Sequence, residues 1–85
     1  MVRKWNIQRP EQSGNYQFTG QPVATAEIIR SISSLELMQI VKDVFELVRD
    51  ENGADYLQVF RDDTGNKIFC IDDKTHLTIL FAHEY

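Results

Sequence analysis

The stretch SSLELMQIVKDVFELVRDENG, residues 33–53, carries a start signal, an amphipathic body and a stop signal in one unbroken piece, and it constrains the fold more than any other. Ser33 three residues before Glu36 is a capping box: the serine oxygen takes an orphan amide of the first turn while the carboxylate reaches back to the cap. Ile32 and Leu37 form the accompanying hydrophobic staple. At 100° per residue, Leu37, Met38, Ile40, Val41, Val44, Phe45, Leu47 and Val48 occupy one half of the wheel, and the charged residues and Gln39 the other. Asn52-Gly53 supplies a left-handed stop, so the helix is predicted over residues 34–51.

A chain of 85 residues is one domain, residues 1–85, with residues 1–22 as an amino-terminal arm or hairpin. A domain of this size buries only about 60% of the surface its unfolded chain exposes, so a covering layer or a partner matters to its stability. The lone Cys70 excludes an intramolecular disulfide and fits a reducing compartment, the cytoplasm. The amino terminus lacks an apolar core segment and no run nears the roughly 18 apolar residues of a membrane span, so neither secretion nor a membrane partner is expected. A net charge of -4 argues against broad binding to a phosphate backbone.

Before the long helix, residues 4–8 alternate Trp5 and Ile7 with polar positions, and the loop at 9–15 returns the chain into residues 16–18, which predicts a hairpin or an extended arm. Residues 19–22 read as a turn. Residues 24–32 fit either a strand or, the preferred reading, a short helix capped by Thr25 with Ala26, Ile29 and Ile32 in one stripe. After Gly53 the period becomes extended: strands at 55–61, 67–71 and 76–82 are separated by turns at 62–66, where Gly65 takes positive φ, and at 72–75. The predicted fold is α+β, one long helix on a three-stranded antiparallel meander.

That meander is apolar on both faces. With loops at 63–65 and 73–75, one face holds Leu57, Val59, Phe69, Ile71, Leu77, Ile79 and Phe81 and suits the helix. The other holds Tyr56, Phe60, Ile68, Cys70 and Leu80, and a sheet with one wet side alternates more cleanly than this. Cover is expected from Trp5, Ile7, Tyr16, Phe18, Ile28 and Ile29, or from a second copy or another protein. The expectation is therefore a non-enzymatic interaction or regulatory module whose surface is Tyr56, Phe60, Ile68 and Leu80, self-associating through that face or through an edge strand at 76–81.

The chemical candidates are sparse. Asp50, Glu51, Asp55, Asp72 and Asp73 gather at one end of the predicted meander, where carboxylates at the negative pole of a helix invite a cation or a basic partner. Cys70 and His76 flank the second turn as a thiol and a base would, without an orienting third group. Two histidines and one cysteine make no zinc site, and the isolated glycines make no phosphate loop, so no metal or cofactor is expected. The second functional reading is a nucleic-acid accessory role, through Arg3, Lys4 and Arg9 around Trp5 or by acidic mimicry of DNA.

Overall fold

A computed structural model describes residues 3–8 and 12–85. The elements are β1 (Asn6–Ile7), β2 (Gln21–Ala24), α1 (Ala26–Ser31), α2 (Ser34–Glu51), β3 (Leu57–Arg61), β4 (Lys67–Asp72), β5 (His76–Phe81) and a closing 3₁₀ turn (Ala82–Glu84). The signals at both ends of α2 act as their chemistry dictates. Glu36 N–H donates to Ser33 Oγ at 3.2 Å, Ser33 N–H donates to Glu36 Oε1 at 3.1 Å, and Asn52 ends the helix at φ 55°. Thr25 caps α1, accepting from Ile28 N–H at 3.3 Å. The buried residue of that helix is Ile28, while Ile29 of the predicted stripe is 64% exposed.

The sheet has five strands in the order β1-β3-β4-β5-β2, so the predicted meander is its centre rather than its whole. Residues 4–8 do not pair with 16–18. Instead β1 runs antiparallel to β3, and Tyr16 makes an isolated antiparallel bridge to Ala54. The stretch read as a turn at 19–22 becomes the start of β2, which lies parallel to β5. Gly20 makes this docking sterically feasible, since a Cβ there would come within 2.7 Å of the Thr75 and His76 backbone. Phe18 turns the chain toward β2 in a left-handed conformation, φ 52°, with its N–H bound to buried Asp72 Oδ2 at 3.0 Å. The loop residues 9–11 lie outside the described residues.

The first hairpin has the predicted register, Arg61 opposite Lys67 and Phe60 opposite Ile68. The second is shifted by one: Asp72 pairs with Leu77, because Asp73 N–H reaches His76 O at 3.2 Å and leaves only Lys74, at φ 77°, and Thr75 in the turn. A one-residue shift moves every side chain of the strand to the other face relative to its neighbour. The face under α2 therefore carries Phe60, Ile68, Cys70, Leu77, Ile79 and Phe81, all buried, with Trp5 and Phe18 completing that core. Leu57, Val59, Phe69, Ile71 and Leu80 line the outer face and are half-buried. The described part of the amino-terminal arm thus completes the inner layer, through Trp5 and Phe18. Among the described residues, no helix is long and apolar enough to cross a membrane.

Candidate interaction groove

The apolar arc of α2 is wider than the sheet beneath it. Ile40, Val44 and Val48 recur every four residues and are buried, whereas Met38 and Phe45, about 140–160° round the helix from Ile40, remain 67% and 45% exposed. They border an apolar groove of about 750 Å³ between α2 and β2. Leu37, Met38, Val41 and Phe45 form its helical wall, Pro22, Val23 and Ala24 its strand wall, and Ile79 lies between them. Lys42, Glu46 and Arg49 line the rim, with Lys42 Nζ 3.8 Å from Glu46 Oε1.

β2 closes the sheet on this side, and among the described residues it pairs only with β5. Thr25 N–H donates to Ile79 O at 3.1 Å, and with Ala24 opposite Ile79 this fixes the alternation of the strand. Val23 and Thr25 turn their peptide groups to β5, while the Ala24 N–H and the carbonyls of Pro22 and Ala24 face the open edge. Pro22 has no N–H to lose there, which is the position in a sheet that tolerates proline.

The predicted interaction surface does not assemble. Phe60 and Ile68 are fully buried beneath α2, Leu80 lies on the opposite face of the sheet, and Tyr56 precedes β3 with its ring 6.1 Å from that of Tyr16. The Tyr85 phenol beside Tyr56 pushes the Tyr56 hydroxyl above its ordinary pKa. His76–Phe81 is not an edge strand either, because β2 covers it. Sequence reasoning placed Met38 and Phe45 in the core half of the wheel and Val23 just past a turn. The legible signal was an apolar arc spanning half the helix, more than one sheet face can cover.

The acidic residues are taken up by turns. Asp72 is buried, accepting from Phe18 N–H and, at 2.7 Å, from Lys74 N–H. Asp73 Oδ1 accepts from Thr75 and His76, bonds that hold its pKa below the ordinary value. Asp55 caps Tyr56 N–H at 2.9 Å, Asp50 pairs with Arg49 at 3.3 Å, and Glu51 is exposed at the end of α2. Among the described residues, no three His, Cys, Asp or Glu side chains converge as metal ligands. Cys70 points into the core and burial pushes its thiol up to about 12, while His76 is exposed beyond the opposite face, so they form no thiol and base pair.

The basic arm is drawn inward as well. Arg3 Nε donates to Glu36 Oε2 at 3.1 Å and a second guanidinium nitrogen donates to Ser31 O at 2.9 Å. A third lies 3.5 Å from Asp62 Oδ2, with the guanidinium 5.1 Å from the Trp5 ring centroid. Burial raises the Asp62 pKa, but hydrogen bonds from Asn66 and Thr64 outweigh it and hold the carboxyl at about 2. Lys4 is exposed, and Arg9 lies outside the described residues. No family model, no curated protein and no solved structure matches this chain.

Proposed function

We propose that this chain is a non-enzymatic protein-interaction module that docks another protein chain, its own copy included, in the groove between α2 and β2. The observation supporting it is the coincidence of exposed Met38 and Phe45 with open backbone groups on the adjoining edge strand. An apolar wall supplies binding energy at about 25 cal/mol per Å² removed from water, and an edge strand supplies direction. Neither needs a catalytic group. Immobilised chain should capture a set of proteins from a cell extract that the Met38→Glu, Phe45→Glu double variant no longer captures. Identical sets on both would contradict the groove as the docking surface.

A nucleic-acid role is a second reading, favoured by one feature. The outer-face strand positions hold Arg61 and Lys67 and no carboxylate, beside the exposed Tyr85, whose ring meets Phe69 edge-on at 5.6 Å. Aromatic and basic groups together are the means by which single strands are held. Titration with labelled single-stranded DNA at two salt concentrations tests it: direct phosphate contact weakens with salt, and no binding at low salt removes this reading.

A further inference from the structure

We infer that the occupant of the groove is a second copy of this chain, paired antiparallel along β2 so that two five-stranded sheets join into one of ten strands. This rests on the groove being a docking surface and adds the identity of what fills it. The argument is self-complementarity, the property a two-fold interface requires. With the axis at Val23, Ala24 of one copy stands opposite Pro22 of the other. Each outward Ala24 N–H then meets a Pro22 carbonyl, and the two bonds that this register omits are those that a proline cannot donate.

Charge follows the same symmetry. Lys42 and Glu46 lie one turn apart on the groove, so an antiparallel copy of α2 centred between them sets Lys42 against Glu46 of the second copy and Glu46 against Lys42. Exposed Met38 and Phe45 of each copy line the groove beside the joined edge, where a second copy would cover them, which explains why they are apolar yet open in the single chain.

Sedimentation of the purified chain over a concentration series should show a monomer–dimer equilibrium. Met38→Glu places a charge on an exposed position and should raise the dissociation constant at least tenfold with an unchanged circular dichroism spectrum. Ala24→Pro removes the outward N–H and should do the same while the Thr25 amide stays protected by Ile79. Lys42→Glu should weaken the dimer severalfold and the Lys42→Glu, Glu46→Lys double variant should recover it, which a folding defect would not allow. A monomer at every concentration overturns the second copy as occupant. If that monomer still captures proteins that the Met38→Glu, Phe45→Glu variant does not, the docking groove stands with a foreign partner, and if the captured sets are identical both readings fail. A dimer indifferent to Ala24→Pro and Met38→Glu overturns the β2 interface.

Discussion

The Trp5 indole N–H donates to Glu36 Oε2 across 2.8 Å in the buried layer between the amino-terminal arm and α2. The other oxygen of that carboxylate closes the capping box, so one side chain both starts the helix and fastens β1 to it. Arg3 reaches the same Oε2, and Gln39 donates to the Trp5 carbonyl at 3.0 Å. Glu36→Gln puts an amide where two donors converge and should cost about 1–3 kcal/mol, the penalty of a buried donor left without its charged acceptor. A lowered midpoint in urea denaturation checks it.

Ser33→Ala should cost less, roughly 0.5–2 kcal/mol, because only the bond to Glu36 N–H is lost while the carboxylate keeps its other partners. Equal losses for the two substitutions would mean that Trp5 contributes little to the anchoring. Trp5→Phe, which retains the ring and removes the donor, separates the packing from the hydrogen bond.

Acid should destabilise this protein mainly through two buried carboxylates, Glu36 and Asp62. Burial raises the Glu36 pKa, but hydrogen bonds from Trp5 and Ser33 and the charge of Arg3 outweigh it, leaving the group below its ordinary value. Asp62 is held at about 2 against an unfolded value of 3.8. A group whose folded pKa is depressed stabilises above its unfolded pKa and loses that contribution as pH falls through the folded one. Urea midpoints measured in pH steps should thus hold level above about pH 5 and decline toward pH 2, with a shallower decline in Asp62→Asn.

Gly20→Ala should loosen β2 specifically. The added Cβ meets Thr75 and His76 backbone atoms at 2.7 Å, which no side-chain adjustment relieves, so a loss of roughly 1–3 kcal/mol is expected. Faster amide exchange at Thr25, whose N–H is bound to Ile79, locates the effect at this strand.

How much of this was legible depended on whether the determining contact was local. Ser33, Glu36, Asn52 and Thr25 act on groups within a few residues of themselves, and each capped the helix its spacing implied. Asp62 binds Thr64 and Asn66 in the same way and keeps the first hairpin in register. The second hairpin turned on whether Asp73 and His76 pair, a difference of one residue that exchanged the faces of β5 and put Phe60 and Ile68 in the core instead of on a surface. β2 was hidden for a different reason. Its parallel partner lies more than fifty residues away, and its proline reads as a turn unless the neighbouring strand is known to leave that edge open. The two-faced apolar character of the meander was nevertheless real: its outer face keeps Leu57, Val59, Phe69, Ile71 and Leu80.

The most direct test of the docking account is amide exchange at Ala24 in the intact chain, followed across dilution. Its N–H faces away from β5, where among the described residues it has no strand partner, so an added strand is what would bond it. The account predicts an Ala24 amide that exchanges slowly in concentrated solution and quickens on dilution, while Thr25 stays protected throughout. Rapid exchange at Ala24 at every concentration, with Thr25 still slow, would contradict pairing of this edge with a second copy.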